Sequence, residues 1–164
     1  MNPEQVKERL PENENEELVL IAEDNPDEAT LIRRAIDKAG ITAPVRILTD
    51  GEQVLLYLEG RGAYADRRAN PQPTLIILDL KMPRKSGFEV LEWLQEHREY
   101  SVVPTVVMSS SSIDKDVQKA YQLGANTYFI KPTTFEELVG TMKALSEYWT
   151  KARRPESAMR WRLR

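Results

Sequence analysis

Residues 75–91 read LIILDLKMPRKSGFEVL. The first four residues form a continuous apolar run without alternation, which suits a strand covered on both faces. Asp79 stands where that run ends. Met82 and Pro83 begin a turn, and Ser86 is a helix N-cap. Val90 and Leu91, with Leu94 just beyond, form the inward stripe of the helix that follows. A strand, an acid at its carboxyl end, a short loop and a helix make up one unit of a parallel α/β sheet.

The same alternation continues on both sides. Residues 18–22 (LVLIA) are a second apolar run, followed by Glu23 and Asp24. Asn25, Pro26 and Glu28 then have the spacing of a capped helix start. Leu31, Ile32, Ala35, Ile36 and Ala39 give the stripe, and Gly40 the stop. Residues 105–108 (TVVM) are a third apolar run, rich in β-branched residues, and residues 45–48 and 128–130 are weaker strand candidates. Asp50-Gly51 starts a short helix with Val54, Leu55 and Leu58. A fourth helix spans about 113–123 and stops at Gly124. Thr134 caps the last, which places Leu138, Met142, Leu145 and Trp149 on one face. The order βαβαβαβαβα predicts a doubly wound, five-stranded parallel sheet with five helices and right-handed crossovers. Residues 59–74 form a long polar connection between the second helix and the third strand.

A chain of 164 residues suffices for one domain with a sizeable core. Its 41% hydrophobic content is in the globular range, and no apolar run approaches membrane-spanning length. The start of the chain carries no secretory pattern, so a cytoplasmic location is expected. The absence of cysteine excludes disulfides, thiolate metal sites and cysteine nucleophiles, and the single histidine, His97, argues against a multi-histidine metal centre. His97 lies near the end of the third helix, where it is read as an exposed residue at the favourable end of the helix dipole. The formal net charge of −3 points to no partner, but its distribution is uneven. Residues 1–17 form an acidic N-terminal extension with six Glu against Lys7 and Arg9; residues 151–164 form a basic C-terminal tail with six cations against Glu156. Residues 18–150 are left as the core domain.

In a doubly wound sheet, ligands bind at the carboxyl ends of the strands. Glu23, Asp24 and Asp79 all stand at such ends. If their strands are neighbours, three carboxylates meet at one rim, where they repel one another unless a cation neutralises them. Mg²⁺ suits such a site, since it takes one or two carboxylates, keeps several waters and accepts phosphate oxygens. Ser109 follows the fourth apolar run and Lys131 the fifth. An acidic pair, a single Asp, a hydroxyl and a lysine on one rim form a phosphoryl-transfer constellation. Each piece alone is ordinary loop or cap chemistry. Their joint placement at the ends of successive strands gives them weight.

The segments LVLIAEDNPDE (18–28), LIILDLKMPRKSGFEVL (75–91), PTVVMSSSS (104–112) and GANTYFIKP (124–132) resemble a response-regulator receiver domain, the chemotaxis-type phosphoacceptor module of two-component signalling. Together with the long 59–74 loop, they resemble the subgroup that includes stand-alone, phytochrome-associated regulators. The resemblance covers residues 18–150 and implies the flavodoxin-like strand order 2-1-3-4-5. It implies Asp79 as phosphoacceptor, Asp24 as a direct Mg²⁺ ligand, Glu23 acting through water, and the backbone carbonyl of Lys81 as a further ligand. It also implies Ser109 as the switch hydroxyl, where Thr is commoner, Lys131 as the phosphoryl-binding cation and Tyr128 as the aromatic switch.

Three functional classes stand beside one another at this point: a phosphorylated switch, a degenerate receiver used only for binding, and a metal-dependent phosphohydrolase on a related sheet. The complete set of Glu23, Asp24, Asp79, Ser109 and Lys131 argues against the second. Lys81, where a second carboxylate would handle the leaving group, disfavours the third. The implied partner is a sensor histidine kinase, phytochrome-like by the subgroup resemblance. The residues after the last helix are too few for a DNA-binding domain, and no membrane contact is expected. Tyr121 and Tyr128 with Lys115, Lys119, Glu136, Glu137 and Lys143 suggest a self-complementary homodimer face on the fourth helix, fifth strand and fifth helix.

Overall fold

The computed structural model describes residues 17–152. The acidic stretch 1–17, apart from Glu17, and the basic stretch 151–164, apart from Lys151 and Ala152, lie outside the described residues. In chain order the elements are β1 (Val19–Ala22), α1 (Pro26–Lys38), β2 (Val45–Leu48), α2 (Gly51–Glu59), a short 3₁₀ turn (Gly62–Tyr64), β3 (Leu75–Leu78), α3 (Gly87–Glu96), β4 (Thr105–Ser109), α4 (Asp114–Gln122), β5 (Thr127–Ile130) and α5 (Phe135–Lys151). The five strands are parallel, in the order β2-β1-β3-β4-β5. The alternation agrees with the apolar pattern, and the order agrees with the one the receiver-domain resemblance implies.

The unbroken apolar runs follow from the two-sided burial. Leu20, Ala22, Ile76, Leu78 and Val107 point to one face and pack with Val54, Leu58, Val90, Leu91 and Leu94 of α2 and α3. Val19, Ile21, Leu75, Ile77, Val106 and Met108 point to the other and pack with Ile32, Ile36, Leu138, Met142 and Leu145 of α1 and α5. Successive residues of a strand face opposite sides, so a strand with helices on both sides must be apolar at every position. Edge strand β5 is only half-buried, and Ile130 is exposed. That explains its weaker sequence signal.

Side-chain caps place the helices as read. Asn25 accepts from the N–H groups of Asp27 and Glu28, Asp50 from Gln53, and Thr134 from Glu137. At α3, Ser86 and Glu89 form a reciprocal capping box. The 59–74 connection is tied down despite its polarity. The Tyr57 hydroxyl donates to the Pro71 carbonyl (2.8 Å), Gln72 Nε2 to the Leu58 carbonyl (2.7 Å) and Arg67 Nη1 to the Tyr57 carbonyl (2.7 Å).

Candidate functional site

Register brings the acids together. Ala22 of β1 is paired with Leu78 of β3, so Glu23 and Asp79 leave the sheet side by side. The Asp79 N–H donates to the Ala22 carbonyl at 3.0 Å, which carries the ladder into the site. Ser109 closes β4 opposite Ile130, and the Lys131 N–H donates to the Ser109 carbonyl at 2.8 Å. Glu23, Asp79 and Ser109 are all buried. Four strand ends therefore converge on one rim.

Lys131 is the centre of that rim. Its Nζ lies 2.8 Å from Glu23 Oε2 and 3.2 Å from Asp79 Oδ2, and it also donates to Glu28 Oε2. Burial alone would lower the lysine pKa, but the carboxylates of Glu23 and Glu28 outweigh it, so Lys131 is raised and stays an ammonium. Burial raises Glu23 to about 7, with the Lys131 hydrogen bond opposing. Burial likewise raises Asp79, again against the pull of Lys131. Glu23 Oε1 also accepts from the Asn25 N–H at 3.1 Å, which fixes that carboxylate at both oxygens.

Glu28 is the member that sequence reasoning missed. Its position suggested a capping-box partner for Asn25. Instead Glu23 takes the Asn25 N–H, and the Glu28 carboxylate turns from the first turn of α1 toward the strand ends and Lys131. A signal was available: the first turn of a helix that follows β1 directly lies over the same rim as Glu23. Asp24, in contrast, is exposed. The mutually close carboxylates among the described residues are Glu23, Glu28 and Asp79. Lys81 is exposed, and its N–H leans toward Asp79 Oδ1 at 3.4 Å.

The donor set fits Mg²⁺. The cluster offers only hard carboxylate oxygens, and three carboxylates against one ammonium leave a negative excess that a divalent cation balances. Glu23 and Asp79 would hold such an ion at the buried side of the rim.

Ser109 and Tyr128 are linked through one residue. The Ser111 N–H donates to Ser109 Oγ at 3.3 Å, and the Tyr128 hydroxyl donates to the Ser111 carbonyl at 2.8 Å. The Ser111 hydroxyl donates to Asp116 Oδ2 of α4 at 2.6 Å. Tyr128 is half-buried with its hydroxyl already directed at the β4–α4 loop. Ser111 had carried no role in the sequence reading. His97 is remote from this chemistry. It caps α3 and stacks on Trp93 with ring centroids 4.0 Å apart, which leaves it half-buried rather than exposed.

Residues 19–143 match the family model of the response regulator receiver domain, and the chain belongs to that family. It is 36% identical over 141 residues to the probable methanogenesis regulatory protein FilR2 of Methanothrix harundinacea, covering 84% of this chain and 86% of that one. It is 29% identical over 132 residues to the response regulator Rcp1 of Synechocystis sp., covering 80% of this chain and 88% of Rcp1. The structure of the Mn²⁺-bound form of Rcp1 superimposes with a TM-score of 0.76 and 28% identity, over 85% of this chain and 99% of that one. The phosphorylated cyanobacterial phytochrome response regulator RcpA superimposes with a TM-score of 0.78 and 30% identity, over 85% and 99% of the two chains. The protein is thus a receiver-domain response regulator of two-component signalling, similar to phytochrome response regulators. Among the described residues no helix is long and apolar enough to cross a membrane.

Proposed function

We propose that Asp79 accepts a phosphoryl group from a phosphohistidine of a sensor histidine kinase, in a Mg²⁺-dependent reaction in the cytoplasm. The observation that carries this reading is the buried Asp79 carboxylate, at the end of β3, held 3.2 Å from the Lys131 ammonium beside Glu23. A carboxylate oxygen of Asp79 attacks phosphorus, the P–N bond to the imidazole breaks, and an acyl phosphate forms. Lys131 meets the charge on the phosphoryl oxygens, and burial of Asp79 keeps water from the new bond. Mg²⁺ held by Glu23 and Asp79 would supply further neutralisation of the phosphoryl charge. Asp24 and the Lys81 carbonyl complete the proposed ligand set with Glu23 and Asp79.

The output we propose is a change in protein contacts. The Ser109 hydroxyl is drawn to the phosphoryl oxygens, Ser111 is released from it, and Tyr128 carries the change to α4, β5 and α5. Ile113, Tyr121 and Ile130 are exposed on that side. Lys115 of α4 and Glu136, Glu137 and Lys143 of α5 are exposed as well, while Lys119 lies over the Phe88 ring of its own chain at 4.4 Å. Exposed apolar groups together with both charges suit a two-fold contact in which each Lys meets a partner's Glu. The resemblance to phytochrome regulators favours a phytochrome-like kinase.

The test is incorporation of phosphate from acetyl phosphate. Wild-type protein should be labelled at Asp79 only with Mg²⁺ present, and Asp79→Asn should not be labelled. Labelling of the Asp79→Asn protein at wild-type level would refute the assignment. Sedimentation with Mg²⁺ and beryllofluoride tests the homodimer, and a monomer at high concentration would exclude it.

A further inference from the structure

We propose that Glu28 is a positioning residue that locks Lys131 away from the phosphoryl group until phosphorylation displaces it; this rests on Asp79 being the phosphoacceptor. An ammonium has three N–H donors. Here Glu23, Glu28 and Asp79 take one each. None is left for a phosphoryl oxygen, so one carboxylate must let go before Lys131 can act.

The three partners differ in their freedom to do so. Glu23 is buried and held at both oxygens, by Lys131 and by the Asn25 N–H. Asp79 is itself the reacting group and is buried. The Glu28 side chain is 43% exposed at the edge of α1. Its main chain is fixed by the Asn25 cap at 3.2 Å, so release needs only side-chain rotation into water. Charge selects the same residue. Phosphorylation replaces the single charge of Asp79 with the larger charge of a phosphoryl group, which makes the rim more negative. Moving the Glu28 carboxylate into solvent is the change that disturbs least, because a partly exposed ion pair is weak and its carboxylate is readily rehydrated.

The lock makes a different demand from a metal ligand or a general electrostatic role. A Gln at position 28 keeps the shape and loses the charge. An Asp keeps the charge but is one methylene short of Lys131. Phosphorylation of wild type, Glu28→Gln and Glu28→Asp by acetyl phosphate at saturating Mg²⁺ should run about two- to fivefold faster in both variants, the factor a partly exposed ion pair corresponds to. Without metal, the Lys131 ammonium resonance in ¹H–¹⁵N NMR should exchange with water faster in both variants. Rates equal to or below wild type would overturn the lock. So would a Glu28→Asp protein that behaves as wild type while Glu28→Gln differs, since charge alone would then suffice. A tenfold loss of Mg²⁺ affinity in both variants, by calorimetry, would make Glu28 a metal ligand and also overturn it. Absence of Asp79 labelling in the wild type would instead refute the phosphoacceptor reading.

Discussion

Gly87 lies against Asp79 so closely that a Cβ at position 87 would stand 2.3 Å from the Asp79 carbonyl oxygen and 2.7 Å from the Leu80 Cα. The Gly87 N–H also donates to the Leu80 carbonyl at 3.0 Å, so the start of α3 is seated on the backbone of the acceptor itself. Alanine would favour the helix by up to about 1 kcal/mol. Here the obstacle is backbone, which cannot rotate away, and overpacking of this kind costs about 1–3 kcal/mol. Gly87→Ala should therefore be net destabilising in urea unfolding and should slow labelling of Asp79. Equal or higher stability would show that the approach is looser than the structure gives.

Glu23 makes stability depend on pH in a direction opposite to an ordinary ion-paired carboxylate. Burial raises it from 4.5 to about 7. The folded protein therefore holds a proton on Glu23 that the unfolded chain has released between those values. This contribution is fully present below about 4.5 and is lost as pH rises through about 7. Asp79, also raised by burial, adds in the same sense. In chelator, wild-type stability should fall from pH 5 to pH 8 relative to Glu23→Gln. Parallel curves for the two proteins would contradict the assigned environment of Glu23.

Lys131 and a divalent cation compete for the same carboxylates. The ammonium lies 2.8 Å from Glu23 and 3.2 Å from Asp79, and its positive charge repels any cation seated between them. Lys131→Met should fold, because protonation of Glu23 can relieve the charge left behind. It should bind Mg²⁺ about tenfold tighter or more in calorimetry, since the like charge next to the ion has gone. Weaker binding would mean that Lys131 organises the site rather than opposing the ion.

The fold was legible because its signal is dense. Each buried strand must be apolar at every position, and runs such as LIIL have few other readings. The strand order came through resemblance, since periodicity alone does not say which strands are neighbours. At the site, the residues on strand ends were legible: Glu23, Asp79, Ser109 and Lys131 meet because strand register fixes them. Glu28 and Ser111 were not. Their roles depend on where a helix's first turn and a loop's main chain point, and a sequence states neither. Gly51 illustrates the same limit. A Cβ there would stand 2.2 Å from the Lys85 carbonyl oxygen, so the glycine lets α2 hold the β3–α3 loop, aided by Arg84 at 3.6 Å from Asp50. Read alone, it was only a helix start.

The link between the rim and α4 runs through the main chain of Ser111. Its N–H donates to Ser109 Oγ and its carbonyl accepts from the Tyr128 hydroxyl, so Ser111 joins the two switch residues by hydrogen bonds. Ser109→Ala removes the acceptor of a buried N–H, which costs about 1–3 kcal/mol when nothing replaces it. It also frees the loop from the strand. The Ser111 and Tyr128 amide resonances should therefore shift in Ser109→Ala even without phosphorylation, and should respond little to Mg²⁺ and beryllofluoride. Tyr128→Phe cuts the second link only. In that protein Ser109, Ser111 and Asp116, which the Ser111 hydroxyl holds directly, should still respond to beryllofluoride, while residue 128 and its neighbours in β5 should respond less than in wild type. The order of these losses is the informative part: it requires signal to pass from Ser109 to Ser111 before it reaches Tyr128. An unchanged Tyr128 response to beryllofluoride in Ser109→Ala would place the coupling on another route.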